Sequence, residues 1–441
     1  MVGKGDDITE AVYAAGVVGA GGAGFPTHLK LEHRVDLVIA NGVECEPLLY
    51  HDKHVMEDKA KEVVEGLRLA LKATGAGEGI IALKEHNDRC ARSLEKVIRK
   101  SDRFRLFMMP DYYPAGDEQE LVRAVTGKRV GAGKLPLSLN VVVSNVTTLM
   151  QISEAVAGKP VIERPISIVG AVTTPCTVTV PLGISFSSVL EQTSNSLPRG
   201  HRILMNGIMM GIPSAEEDVI TKTTTALLVL PADHPRFREF DIPLERQLRR
   251  AATLCRQCQA CKDICPRYLL GHPLGPHLSM RSRMIDKTVL KSAILCSECG
   301  LCTLTGCSVG LSPRLLHRHL KAELLRSGTA QTETWEMSAE HHLRSQRRIS
   351  SDRLKEKVRI KEYDREPVRF RGTLRPACLK IYLKQHIGMT ANPLVSVGQK
   401  IKAGGLIGDV PRSAVGARLH SPVTGEIQRV GPAEIELRPA Q

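Results

Sequence analysis

Cys255-x2-Cys258-x2-Cys261-x3-Cys265-Pro266 and Cys296-x2-Cys299-x2-Cys302-x4-Cys307 hold eight of the chain's twelve cysteines. Three thiolates at two-residue gaps can grip one iron–sulfur cube, and the fourth cysteine of such a run usually ligates the other cube of a pair. The expected ligation is therefore crossed. Cys255, Cys258, Cys261 and Cys307 take one [4Fe–4S] cluster, and Cys296, Cys299, Cys302 and Cys265 take the other. A two-cluster module passes single electrons, so the remaining sequence should supply an electron source and an electron sink.

Zinc and disulfide chemistry fit these cysteines less well. Zinc sites usually draw four ligands from two separated pairs, whereas each run here holds three close cysteines and a fourth. Pro266 directly follows Cys265, as in ferredoxin-type runs. Disulfides belong to small secreted domains in oxidising compartments. This chain has 441 residues, enough for about three domains. Its N-terminus has no basic-then-apolar leader. No apolar run approaches the ~20 residues needed to cross a bilayer. The expectation is a cytoplasmic chain in a reducing compartment. Cys45, Cys90, Cys176 and Cys378 lie outside the runs and read as ordinary thiols, mostly buried.

The net charge is +14. Eleven Lys/Arg against five Asp/Glu fall between His341 and Arg371, which reads as a solvated linker or charged helix face. Aromatic residues make up only 3% of the chain, which argues against stacking platforms for nucleic acid. No zinc-finger spacing or RRM-type motif is present.

The pattern of elements changes along the chain. Residues 1–160 alternate helix and strand: Ile8–Ala15, Asp58–Lys72, Asn87–Lys100 and Val146–Val156 as helices, Val35–Ala40, Ile80–Leu83 and Leu139–Ser144 as strands. That alternation implies an α/β layer. Residues 161–232 are β-rich with one helix near Ser187–Gln192. Residues 233–330 carry both cysteine runs and read as helical. Residues 331–372 form a basic linker. Residues 373–441 are strand and turn, and Pro393–Gly404 echoes Ser421–Ile427, as in a small barrel or sandwich.

Four strings in the first domain point to a ligand. Gly19-Ala-Gly-Gly-Ala-Gly24 contains G-x-G-x-x-G, but a helix precedes it and Pro26 follows, so it fails the Rossmann context. Its glycines still let backbone N–H groups approach an anion, and Lys30 can add a charge. Asn41-Gly-Val-Glu-Cys-Glu-Pro47, Tyr113-Pro-Ala-Gly-Asp-Glu118 and Ser144-Asn-Val-Thr-Thr-Leu149 each follow or adjoin a strand, where open α/β sheets place ligands.

In this order, the four strings resemble the flavin- and NADH-binding subunit of respiratory complex I and its RnfC-type relatives. By that resemblance Gly19, Gly21, Lys30, Asn41, Glu44, Gly116, Asp117, Asn145 and Thr148 would hold FMN. Gly22, Phe25, Glu46 and Glu118 would lie toward NADH. Val43 departs from an acidic residue common in the complex I version, and His33 falls where a second nucleotide-facing aromatic is expected. The 161–232 module, with Leu204–Gly211, resembles the SLBB-type β-grasp domain. The C-terminal module resembles the barrel-sandwich hybrid domain of lipoyl and biotinyl carriers. It has no lysine between Gly408 and His420, so a structural role is expected rather than a swinging arm.

In RnfC the barrel-sandwich piece usually precedes the flavin domain, and here it comes last. That order is similar to the cobalamin reductases of propanediol-utilisation microcompartments. The resemblance implies a corrinoid substrate, with an adenosyltransferase and shell proteins as partners. The sequence itself lacks an Asp-x-His-x-x-Gly box for a base-off corrinoid: Asp52-Lys53-His54 begins like one, but the glycine is missing. The alternative is an RnfC-like electron-transfer protein that delivers electrons to a partner protein or membrane complex.

Overall fold

The computed structural model describes residues 5–195, 200–282, 290–328 and 335–440. Residues 283–289 of the expected helical gap between the cysteine runs, and 331–334 of the expected linker, lie outside them.

The first layer runs α1 (Gly5–Ala14), α2 (Thr27–Leu31), β1 (Leu37–Gly42), α3 (His51–Asp58), α4 (Ala60–Thr74), β2 (Glu78–Lys84), α5 (Asp88–Glu95), β3 (Phe104–Met109), α6 (Glu118–Thr126), β4 (Val141–Asn145) and α7 (Val146–Val156). Its four strands are parallel in the order β3-β2-β1-β4. The apolar runs of β1 and β2 are buried on both faces, as parallel strands between helices must be. α4 and α7 pack closely because a Cβ at Gly66 would lie 1.8 Å from the Leu149 carbonyl oxygen. α3 and β3 go beyond the expected elements. β3 is an edge strand whose apolar run is interrupted by Arg105, and it is mostly half-exposed. That leaves only a weak apolar signal.

Next come β5 (Glu163–Gly170), β6 (Cys176–Pro181), α8 (Phe186–Gln192), β7 (His201–Met205), β8 (Ile212–Ser214) and β9 (Ala226–Pro231). They form a mixed sheet around a single helix. A short strand from the basic stretch, β10 (Val368–Arg369), extends that sheet to the order β10-β6-β5-β9-β7-β8.

Residues 335–371 depart from the expected solvated linker. Arg344 pairs with buried Glu120. Lys84 bonds to Asp111 and Ser351 at 2.7 and 2.8 Å. Arg369 pairs with Glu57 and Asp58. Ile349 bridges to Tyr113. Arg344 and Arg369 of the stretch are matched by acidic residues far away in sequence, so the segment straps the α/β layer to the β-grasp sheet.

The cysteine-bearing module contains no strand among the described residues. The helix Leu244–Leu254 leads into the first run, and Pro313–Arg326 follows the second. The C-terminal module stacks two sheets. One is β11 (Leu379–Tyr382), β17 (Glu434–Pro439), β16 (Gly425–Val430) and β13 (Lys400–Ile401). The other is β12 (Asn392–Pro393), β14 (Leu406–Asp409) and β15 (Leu419–His420). The two echoing pieces pair with each other, Lys400 opposite Glu426. Ile381, Ile407, Leu419, Ile427, Ile435 and Leu437 fill the space between the sheets.

Candidate flavin cradle and iron–sulfur centre

In the sheet order β3-β2-β1-β4, the chain steps outward one way from β1 and then returns to the other side for β4. The switch point therefore lies between the carboxyl ends of β1 and β4, the crevice where open α/β sheets bind ligands. Asn41 is the next-to-last residue of β1 and Asn145 the last of β4, and the two are paired in register. The four strings converge here. Ala20 N–H donates to Thr148 Oγ1 at 2.8 Å, and Gly19 N–H closes the glycine loop on the Phe25 carbonyl at 2.9 Å. Asn41 Nδ2 donates to the Gly116 carbonyl at 3.0 Å. Lys30 Nζ donates to the Val143 carbonyl and lies 3.8 Å from Glu118.

The glycine loop leaves its backbone open at the crevice. Gly21, Gly22 and Ala23 form an exposed tip. Nothing lies within 4 Å of a Cβ built on Gly22, while one on Gly21 would meet Asn145 Nδ2 at 3.0 Å. At Gly116 a Cβ would fall 2.2 Å from the Val43 carbonyl oxygen, so no larger residue fits between the two strings. Phe25 is half-buried beside the tip. Glycine N–H groups and Lys30 could hold the phosphate, with Asn41, Gly116, Asn145 and Thr148 beneath the ring system.

Other expected residues are drawn into the protein. Asp117 caps α6, accepting from Gln119 N–H at 3.1 Å and Glu120 N–H at 3.3 Å, and pairs with Arg267 through both oxygens. Glu46 accepts from Met209 N–H and packs where a Cβ on Gly207 would collide with it. Burial pushes its carboxyl up to about 7. Glu46 thus anchors the β7–β8 loop. Burial likewise pushes the Cys45 thiol up to about 12, which leaves it protonated and non-nucleophilic.

Residues outside the four strings complete the crevice. Asp52, on α3, accepts from Asn145 Nδ2 and Thr147 Oγ1, each at 2.7 Å. His51 Nε2 lies 3.5 Å from Asp52 and 3.9 Å from Glu44. Loss of solvent and the facing Asp52 push Glu44 up to about 8. Burial holds His51 below its ordinary value. Arg164, 1% exposed, donates to the Ala20 carbonyl at 2.6 Å and fixes the glycine loop from below. A lone arginine within a β-strand gives no sequence signal for that role.

The two cysteine runs fold alike. Gln257 and Gln259 in the first, and Glu298 and Gly300 in the second, are left-handed at equivalent positions. The extra residue of Cys302-x4-Cys307 is absorbed by a π-helical turn, Cys302–Gly306, the usual home of a one-residue insertion. Glu298 N–H points at Cys296 Sγ at 3.3 Å and Leu311 N–H at Cys307 Sγ at 3.4 Å. Such N–H···S contacts stabilise thiolates and tune cluster potentials.

Cys265, Cys296, Cys299 and Cys302 open onto one cavity. Cys307 and Cys255 share a separate apolar cluster. The thiols nearest in field to Cys261 are Cys307 and Cys255. Gly306 packs onto the Cys261 backbone, where a Cβ would approach Cα at 3.2 Å. The first grouping has the composition of one crossed set, and the second holds three members of the other. Converging thiols of this kind are the donors a [4Fe–4S] cluster requires. The flavin strings reach the first grouping directly: Tyr113 Oη donates to the Cys299 carbonyl at 2.7 Å, and Arg267, two residues after Cys265, holds Asp117.

Comparison with known proteins agrees with this layout. Residues 12–154 match the Nuo51 FMN-binding domain, 254–312 a 4Fe-4S dicluster domain and 365–439 the RnfC barrel sandwich hybrid domain. The chain is 39% identical over 433 residues to the cobalamin reductase PduS of Salmonella typhimurium, covering 96% of this chain and 95% of that one. It is 37% identical to the PduS of Citrobacter freundii over 96% and 94% of the two chains. The chain belongs to the PduS cobalamin reductase family. It also shares 34% identity, over 66% of its length and 64% of the relative's, with a component of the Na(+)-translocating ferredoxin:NAD(+) oxidoreductase complex of Acetobacterium woodii. At the level of fold alone, it superposes on a chain of NAD+-reducing [NiFe]-hydrogenase with a TM-score of 0.50 and 20% identity, covering 76% of this chain and 64% of that one. As a PduS family member it is a flavin and iron–sulfur oxidoreductase of multidomain α/β and β architecture, and the barrel-sandwich domain stands last.

Proposed function

We propose that the chain is an NADH-dependent reductase that reduces cob(III)alamin to cob(II)alamin and cob(II)alamin to cob(I)alamin, inside a bacterial microcompartment. The observation that carries this reading is the near-full-length match to two proteins named cobalamin reductase. FMN, when bound, converts a two-electron donor's hydride into single electrons that the two clusters can pass on. The chain's own part is binding, orientation and contact. The glycine tip and Lys30 hold the phosphate end. Asn41, Gly116, Asn145 and Thr148 support the ring system. Glu44, raised to about 8 by burial, keeps a proton beside it, with His51 and Asp52 packed against it. Phe25, Gly22 and Glu118 border the nucleotide approach, while Glu46 acts from behind by fixing the β7–β8 loop. Tyr113 and the Asp117–Arg267 pair lock this site to the cysteine module at a fixed spacing. An adenosyltransferase and shell proteins are the partners this setting calls for.

An anaerobic assay with NADH and three acceptors, hydroxocobalamin, methyl viologen and ferredoxin, tests the reading. Corrinoid reduction by the purified holoprotein is the expected result, and flavin bleaching by NADH with no corrinoid reduction would refute it. The second reading is delivery of electrons to a partner protein or membrane complex, favoured by the likeness to the Na(+)-translocating complex. Among the described residues, no helix is long and apolar enough to cross a membrane. In that reading a partner supplies the membrane attachment.

A further inference from the structure

A second cavity, of about 380 Å³, opens beside Cys307. It lies against Cys307, and Arg236 in its wall reaches the Ile208 carbonyl of the β7–β8 loop that Glu46 anchors. Its apolar wall comes from Ile242, Leu304, Val309 and Leu316, and its rim carries Arg236, Arg238, Arg250, Lys357 and Arg359 against one carboxylate, Glu239. Glu239 is already taken, paired with Arg236 and 3.3 Å from Arg314. Arg236 is spent on that pair and on the Ile208 and Gly211 carbonyls. Arg238, Arg250, Lys357 and Arg359 have no ion-pair partner among the described residues. Four unmatched cations around a half-apolar hollow are a recognition site for an amphiphilic anion. Charge of one sign focused in a concavity raises the local concentration of an oppositely charged ligand.

We propose that this cavity is where the electron acceptor docks, and that it holds the phosphodiester-linked nucleotide tail of a corrinoid. The inference rests on the corrinoid-reductase reading above. The volume suits a nucleotide-sized group and not a whole corrin macrocycle, so the ring lies at the mouth. The tail's phosphate meets Arg250 and Arg359, and its base lies on the Leu304–Val309 wall. One electron leaves the cluster held by Cys307 and lowers cobalt by one oxidation state. No bond forms between protein and corrinoid, and NADH remains the source of electrons. A cavity, rather than a flat basic face, favours a small molecule over an acidic protein.

The test uses holoprotein bearing Arg250→Glu or Arg359→Glu and two corrinoids: hydroxocobalamin, and a cobinamide, which lacks the nucleotide and its phosphodiester link. Equilibrium binding is read by calorimetry and reduction by the cobalt spectrum. NADH-driven bleaching of the visible absorbance checks that each variant is intact upstream. The expected result is a rise of about tenfold or more in the hydroxocobalamin dissociation constant, with cobinamide binding unchanged. Wild-type affinity for hydroxocobalamin in both variants would overturn the site while leaving the reductase reading in place. Loss of reduction only for a corrinoid presented on a partner protein would likewise overturn it, in favour of protein docking. A wild-type holoprotein that neither binds nor reduces any corrinoid would overturn the reductase reading and this site with it.

Discussion

At the scale of single residues, the most testable contributions come from side chains whose surroundings depart from what their place in the sequence alone suggests. Cys307 belongs by sequence to the second run, yet its neighbours are Cys255 and Cys261 of the first. Replacing it with serine should therefore strip the cluster of Cys255, Cys258 and Cys261. Bound iron should fall from about eight to about four per chain, and the electron paramagnetic resonance signal of the Cys296 set should survive. Loss of the other signal would show uncrossed ligation. Glu44 offers a different test. Its folded-state carboxyl is raised from 4.5 to about 8, so between those values the folded chain keeps a proton that the unfolded chain has lost. The associated stability is complete below pH 4.5 and drains away as the pH rises toward 8, by at most about 1.4 kcal/mol per pH unit. Urea unfolding of the flavin-free chain at pH 6 and pH 8 should show this decline. In Glu44→Gln the decline should be visibly smaller, since glutamine does not titrate. Equal pH slopes in the two proteins would mean that Glu44 ionises normally.

At the scale of elements, the sequence is most legible where one physical signal dominates. β1, β2 and β4 are unbroken apolar runs, and α7 begins at an Asn cap, with Asn145 accepting from Thr147 N–H at 2.8 Å. The spacing of the cysteines alone specifies two equivalent turns. Legibility fails where partners are distant. The basic stretch ending at Arg371 looks solvated until Glu57, Asp58 and Glu120 are brought beside it, and only the tertiary fold does that. Asp117 and Glu46 read as ligand-facing because their strings do, but a helix cap and a backbone N–H claim their oxygens. Gly116 is the reverse case, a position fully explained by geometry. A Cβ there would force the Tyr113–Glu118 string off the Val43 carbonyl, and both segments are backbone, so neither can yield cheaply. Gly116→Ala should cost about 2 kcal/mol of stability and release flavin on gel filtration. Retained flavin with an unchanged melting temperature would mean that the two strings are not in contact.

At the scale of the whole molecule, the arrangement assigns an order to two clusters that the sequence leaves unordered. Cys265, Cys296, Cys299 and Cys302 are the inner set: Tyr113 binds the Cys299 backbone, and Cys265 and Cys302 are buried. Cys258 of the outer set is exposed, and Cys307 borders the basic cavity. Cys302 feels the field of Cys261, so the sets adjoin, and the hydrogen bonds of Tyr113 and Asp117 run to the inner set and its flanking Arg267. The two sets should therefore fail differently. Cys258→Ser should leave NADH-driven reduction of the flavin and the inner cluster intact while corrinoid reduction falls to background. Cys296→Ser should leave the flavin reducible while the outer cluster stays oxidised in samples frozen after mixing with NADH. Both variants would lose turnover, so the spectroscopic split is the informative readout. An outer cluster that is reduced at the wild-type rate in Cys296→Ser would require a path around the inner set, and the contact between Tyr113 and Cys299 would then serve packing alone.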